Sequence, residues 1–434
     1  MDTKLIVVSN QLPFVLKRDE TGELTREAFA GGLATSVAPV VVKSGGTWVG
    51  WPGIHLSDSD QIPESDSLGV KSKQIIPVDI DAEEYQFYYN GCCNATFWPL
   101  LHSMPDRAIF DQSWWQAYQK VNHKFAERTL TVLRNTLEAH PDSVPLIWIH
   151  DYHLMLAANS IRQVADEEKL SCKIGFFLHI PFPPWDMIKN LPWSDMILQG
   201  ILGCDLVGFH TQDYCLNFID CCQRGLGCRV DRQLLLAEHG NGRTVRIRPL
   251  PIGIPYQRFE EMSQSAPKTL DNEKIQYILG VDKLDYTKGL VNRILSFEKL
   301  LDVHPEYLEK VIFLQIVVPS KTDVKEYQDL KEEIDKLIGT INGRFSTANW
   351  SPIRYIYGCI SQDELAGFYR DVDVALVTPL RDGMNLVAKE FVACRTEKPG
   401  VLILSPFTGA GELMHEALSV NPYDISKVAS VLHR

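Results

Sequence analysis

The 434-residue chain has no run of about 20 apolar residues, so nothing in it predicts a membrane-spanning helix. Its ten cysteines include no Cys-x-x-Cys pair and no regular spacing. That excludes a disulfide framework and points to free thiols in a reducing cytoplasm. A surplus of basic charge is also missing. The 43 Lys and Arg against 55 Asp and Glu leave a net −12, which argues against a nucleic-acid or polyanion surface. Any phosphate must then be held by a local cluster of basic groups. The short apolar start, MDTKLIVVSN, lacks a small-residue cleavage pattern and reads as a first strand rather than a signal peptide. No short-period repeat or low-complexity segment is present.

What is there is ordinary for a globular chain, with 45% hydrophobic and 23% charged residues. The length exceeds what one hydrophobic core usually holds, so two domains are expected. Short, strongly apolar runs that do not alternate recur at 5–8, 146–149, 174–178, 205–209, 277–281, 311–318, 374–377 and 401–404. Such runs suit parallel strands covered on both faces. Amphipathic helical patterns lie between them: Trp114, Tyr118, Val121 and Phe125 share one face, as do Leu290, Ile294, Phe297 and Leu301. Alternation over the whole length predicts an α/β fold of doubly wound sheets. The boundary falls between Pro249 and Lys274, giving domains 1–252 and 253–434. Ligands of open α/β sheets bind at the C-terminal strand ends, so two lobes facing each other would place those ends around a shared cleft.

Four segments could carry chemistry. Ala30-Gly-Gly32-Leu33 precedes an apolar helix pattern at Val37, Val40 and Val41. Paired glycines at a helix start let the backbone approach an anion, although a plain tight turn reads the same way. In 281–289, Lys283 and Lys288 lie between a buried strand and a helix, placed to clamp a diphosphate unless each is a solvated loop lysine. This is not the Walker order. In 378–391 a strand runs into a Gly turn and a helix near Asn385. Asp382 there could accept from sugar hydroxyls and Glu390 from a ribose, and a buried Glu390 would need a polar partner. In Trp148-Ile-His150-Asp151-Tyr-His153, and in Phe177-Leu-His179 after the next strand, polar side chains collect at strand ends. Capping and sugar hydrogen bonding are favoured there over metal ligation. The pairs Asp79/Asp81 and Asp371/Asp373 are too weak for a metal. Tyr89 and Trp98 are core or sugar platforms.

Taken together, the segments 7–14 (VVSNQLPF), 30–33 (AGGL), 45–53 (GGTWVGWPG), 84–102, 147–155 (IWIHDYHLM), 175–183 (GFFLHIPFP), 281–290 (VDKLDYTKGL) and 377–393 resemble trehalose-6-phosphate synthases. They run in that family's order over the whole chain, with wording most similar to the animal, arthropod-like members. The resemblance implies two Rossmann-like lobes facing across a cleft, the two-lobe glycosyltransferase fold, with the acceptor side at 1–252 and the donor side at 253–434. It implies a retaining, metal-independent transfer from UDP-glucose to a sugar-phosphate acceptor, with no cofactor, in the cytoplasm. Neither nucleic acid nor membrane is a partner, and homo-oligomers are compatible with it. His179, Asp151, Lys288 and Asp382 would be catalytic. Gly32, Lys283, Lys288, Asp382, Gly383, Met384, Asn385, Leu386 and Glu390 would hold the donor. Gln11, Trp51, Tyr89, Trp98, Asp151 and Lys321 would hold the acceptor. Family members continue with a final helix, which this chain is expected to lack after Arg434.

Three positions depart from the family pattern. Gln11, Lys283 and Lys321 stand where arginines are expected, the first and third of them to grip the acceptor phosphate. Lysine offers a point charge in place of a bidentate fork, and glutamine no charge. A weakened acceptor-phosphate site leaves two other readings open: a relative with a different acceptor, and a regulatory pseudoenzyme.

Overall fold

The computed structural model describes residues 4–28, 32–57, 60–64, 69–240, 242–270, 274–321, 324–396 and 399–434. The chain divides into two compact units, Met1–Pro251 and Ile252–Arg434.

In the first unit the strands are β1 (Leu5–Gln11), β2 (Phe14–Arg18), β3 (Leu24–Ala28), β4 (Thr47–Trp51), β5 (Ile75–Pro77), β6 (Leu146–His150), β7 (Lys173–Phe177), β8 (Leu206–Phe209), β9 (Arg229–Asp231), β10 (Leu236–His239) and β11 (Arg243–Pro249). Nine of them form one sheet in the order β5-β4-β1-β6-β7-β8-β11-β10-β9, and β2 and β3 form a separate ribbon. All neighbours from β5 to β11 are parallel, while β10 and β9 add an antiparallel edge. The second unit holds β12 (Gln276–Lys283), β13 (Val311–Val318), β14 (Ile353–Tyr357), β15 (Val374–Val377), β16 (Val401–Leu404) and β17 (Leu418–Ser419). These form a wholly parallel sheet, β14-β13-β12-β15-β16-β17.

All eight apolar runs form parallel strands, and their burial says why. β1 is buried over its first six residues and β13 over its first seven, so side chains on both faces leave water. The helix Gln112–Ala139 starts where the Asp111 carboxylate accepts from Ser113 N and Trp114 N. It buries Tyr118, Val121 and Phe125, with Trp114 half-buried. The helix Leu290–Val303 buries Leu290, Ile294, Phe297 and Leu301. In the helix Gly32–Ser44, Val37 and Val41 enter the core but Val40 is 43% exposed, so the apolar stripe is narrower than expected. Residues 30 and 31 of the Ala30–Leu33 motif lie outside the described residues. All ten cysteines are free; nine are buried and Cys359 is exposed.

Within each unit, the strands that share one direction follow the same spatial order. The third, second and first lie to one side, and the fourth onward to the other. The winding therefore reverses between β1 and β6 in the first unit and between β12 and β15 in the second. Such a switch point opens a crevice at the C-terminal strand ends, where doubly wound sheets take ligands. Gln11 and Asp151 flank the first crevice. Lys283 and the turn after β15 flank the second.

Candidate active site

In the first unit Asp151 follows β6 with φ 74° and ψ 169°, a region that is essentially glycine-only. Its N–H donates to Phe177 O at 2.8 Å, and its Oδ1 accepts from His179 N at 3.2 Å. Burial raises its carboxyl to about 7, against the backbone N–H groups of Tyr152 and His179. His153 Nδ1 lies 3.9 Å from Asp151 Oδ2, and three further imidazoles cluster with one another at the neighbouring strand ends. His150 Nδ1 and His179 Nε2 are 3.1 Å apart, and His210 Nε2 lies 3.0 Å from His179 O. Burial lowers His150 to about 3. Burial, and then His150, His210 and His153, hold His179 well below the usual imidazole range.

The predicted aromatic residues form a ladder leading to this strand end. Trp51 packs on Tyr85 (4.5 Å between centroids), Tyr85 stacks on Tyr89 (4.8 Å) and Tyr89 on His153 (5.7 Å). Trp98 meets Tyr152, and Tyr152 meets His153. Tyr85, Tyr89 and Trp98 come from the helical segment Gln86–Phe97, with wide π-type turns, and its two flanking short helices. The indole Nε1 of Trp51 is buried without a partner among the described residues. Gln11 ends β1, half-buried. Gly32 opens the helix Gly32–Ser44.

In the second unit Lys283 ends β12, exposed. The chain then turns through Asp285, whose side chain accepts from Thr287 N at 2.9 Å, and reaches Gly289 at φ 66°. A Cβ at Gly289 would run into the Thr378 carbonyl, so only glycine lets the two loops approach. Leu380 N donates to Thr287 O at 2.7 Å. This juxtaposition brings Lys288 Nζ to 2.7 Å from Asp382 Oδ2. Burial works against the lysine's charge, but Asp382 and Asp282 outweigh it and raise its pKa. Asp382 also accepts from Gly383 N (2.9 Å) and Asn385 Nδ2 (3.2 Å). Asn385, at φ 61°, caps the helix Leu386–Ala393 by accepting from Ala388 N. Gly383 and Met384 are buried beneath this turn, and Leu386 is half-buried. Glu390 has the partner its half-buried position requires: Tyr369 OH donates to Oε2 at 3.0 Å. Lys321, at φ 48°, donates to Tyr327 OH at 2.8 Å and lies 3.9 Å from Asp285 Oδ2.

Sequence reasoning missed Tyr85, His150 as a partner of His179, Tyr369, and above all Arg293. That arginine is fully buried, 2.7 Å from Asp282 Oδ2, and donates through Nε to Thr378 Oγ1 at 2.9 Å. Among the described residues, His304, Glu306 and His433 form the one cluster with three ligand atoms within 4.8 Å. Their two imidazoles stack at 3.7 Å and 8°. In-plane lone pairs of parallel rings do not converge on one ion, which needs about 2.0–2.1 Å to each nitrogen. A groove of about 1050 Å³ lined by Pro52, Asp79, Lys124, Glu127 and Arg134 includes none of the predicted residues.

Asp151 makes a pH test available. Its unfolded carboxyl titrates near 3.9 and its folded one at about 7. Below pH 4 both states are protonated. Between 4 and 7 the unfolded chain releases its proton first, so the group's contribution falls as pH rises and stays low above 7. Asp151→Asn, which keeps the side chain's size and shape, should therefore stabilise the fold by ~2–4 kcal/mol at pH 8 and leave it unchanged near pH 4. Urea titrations at the two pH values check this; a pH-independent difference contradicts it.

The model of the family described as Glycosyltransferase family 20 matches residues 3–434. The bifunctional trehalose-6-phosphate synthase/phosphatase of Thermoproteus tenax is 40% identical over 99% of this chain, which spans 58% of that protein. The 56 kDa subunit of the UDP-forming alpha,alpha-trehalose-phosphate synthase of Kluyveromyces lactis is 39% identical, with 99% and 87% covered. Among solved structures, an E. coli one bound with UDP-2-fluoro glucose superposes with a TM-score of 0.86 at 33% identity, covering 100% of this chain and 91% of that one. A Burkholderia xenovorans synthase in complex with glucose-6-phosphate gives 0.85 at 34%, covering 99% and 91%.

Proposed function

Because the chain belongs to glycosyltransferase family 20, we propose that it joins UDP-glucose to glucose 6-phosphate, giving trehalose 6-phosphate and UDP. One observation carries the assignment of residues. Among the described residues seven non-glycine positions have positive φ, and three of them, Asp151, Lys321 and Asn385, are residues expected at the site. Backbone strain of about 1–3 kcal/mol each persists where function repays it.

Lys283 and Lys288 hold the donor diphosphate, and the turn from Asp382 through Gly383, Met384, Asn385 and Leu386 holds its glucose and phosphate. Glu390, with Oε2 on Tyr369, keeps Oε1 to accept from a ribose hydroxyl. Gly32 lies under the donor. His179 contacts the transferred glucose and Asp151 the acceptor, with Trp51, Tyr89 and Trp98 as its apolar platform. Transfer proceeds with retention on one face, the leaving phosphate taking the acceptor's proton. The main requirement is positive potential at the departing diphosphate, and lysines and backbone N–H groups supply it without a metal. We also place the chain in the cytoplasm, on its free thiols, and among animal-type members, on the wording of its motif segments alone.

A second reading, a UDP-sugar transferase with another acceptor, is favoured by Lys321, whose charge is engaged by Tyr327 and Asp285. UDP release measured with glucose 6-phosphate against unphosphorylated sugars separates the two. Under the first reading, Gln11→Arg with Lys321→Arg should lower KM for glucose 6-phosphate about ten- to a hundredfold, with less change for UDP-glucose. The pair should exceed either single change. If neither constant moves, these positions do not touch the acceptor phosphate.

A further inference from the structure

His150 ends β6 and is 1% exposed, yet nothing assigns it a task. Its Nδ1 lies 3.1 Å from His179 Nε2, and its own Nε2 is buried with no hydrogen-bond partner among the described residues. We propose that His150 is a positioning residue that donates Nδ1–H to His179 Nε2. This fixes His179 as the Nδ1–H tautomer, so that this N–H donates to a hydroxyl of the transferred sugar; the last step rests on the function proposed above.

The argument is an accounting of hydrogens. Two neutral imidazoles that share one N···N contact place a single hydrogen in it. If His179 Nε2 were the donor, His150 would accept through Nδ1 and carry its hydrogen on Nε2. That N–H is buried and unpartnered. In the other arrangement the same Nε2 bears only an unused lone pair, and the second N–H sits on Nδ1 of the half-buried His179, which is not among the buried side-chain atoms left without a partner. An N–H buried without a partner costs more than one on a half-buried ring, which favours the second arrangement. Burial keeps the pair neutral, since it drives His150 to about 3 and His179 well below its usual range. The rest of His179 is fixed: its N–H donates to Asp151 and its carbonyl accepts from His210. Its ring makes no other hydrogen bond among the described residues. The tautomer is therefore set by His150 alone, and Nδ1–H is the end left for a ligand.

The test uses the full chain labelled with ¹⁵N-histidine at pH 7 without substrate. Long-range ¹H–¹⁵N spectra should show His179 with a pyrrole-type Nδ1 and a pyridine-type Nε2. The reverse assignment overturns the proposal whatever the enzyme transfers, so its failure is distinct from failure of the functional reading. His150→Asn presents an amide N–H near the Nδ1 position and should keep the tautomer and most of the turnover. His150→Leu removes the donor. It should let His179 exchange between tautomers and lower kcat about tenfold, the scale of one hydrogen bond. A Leu variant that keeps both the tautomer and kcat also overturns it. Should that variant fail to fold, the native spectrum and the Asn variant still decide.

Discussion

Replacing Lys288 with alanine is expected to lower turnover by about a hundred- to a thousandfold while the fold persists. The side chain is 16% exposed and paired at 2.7 Å with Asp382, whose carboxylate keeps it charged despite burial. Negative charge grows on a diphosphate as it leaves, so a cation fixed beforehand stabilises the transition state more than the bound substrate. Stability should change little, because Asp382 keeps its bonds from Gly383 N and Asn385 Nδ2. UDP release under saturating substrates, with circular dichroism as the fold control, reads the effect. Lys288→Arg should recover part of the loss, and a chelator should leave the parent enzyme's rate as it was. Turnover within threefold of the parent for Lys288→Ala, or strict dependence on a divalent ion, would remove the metal-free account of the donor site.

Arg293→Met should destabilise the fold by about 3–5 kcal/mol, the cost of leaving a buried carboxylate without its partner. Asp282 is 3% exposed at its side chain and Arg293 0%. The guanidinium also lies 3.4 Å from Gln315 Oε1. The space for both comes from Gly280, where a Cβ would lie 2.6 Å from Gln315 Oε1 and 2.9 Å from Arg293 Nη1. Adding Asp282→Asn to Arg293→Met removes the stranded charge and should recover most of the loss. Urea denaturation of the three variants tests this. A double variant no more stable than the single one would show that the ion pair is not the source of the effect.

The uniformly buried strands were legible because short, strongly apolar runs such as 311–318 suit a parallel sheet covered on both faces. β11 was not, since only Val245 and Ile247 of its residues enter the core and charged neighbours alternate with them. That pattern belongs to the part of the sheet next to its antiparallel edge, where one face stays wet. β4 was hidden because Gly50 and Pro52 look like a turn. At the site, strand ends marked Asp151, His179 and Lys283, but their geometry depends on loops far apart in sequence. Lys288 and Asp382 are 94 residues apart, and no local pattern relates them. For Arg293 a signal was present. The lone Gln315 in an otherwise apolar buried strand demands a partner, and an arginine on the packed face of the preceding helix pattern supplies it.

Cys359 lies between β14 and the helix Gln362–Asp371 and is the single exposed thiol of the ten. A maleimide dye added to the native protein would thus settle on one position of the second unit, giving a site-specific fluorescent probe without altering any residue. The nine buried thiols become reactive only as their surroundings open. The time course of their labelling is therefore a clock for unfolding, and the loss of Cys359 signal on adding a partner would map where that partner covers the surface.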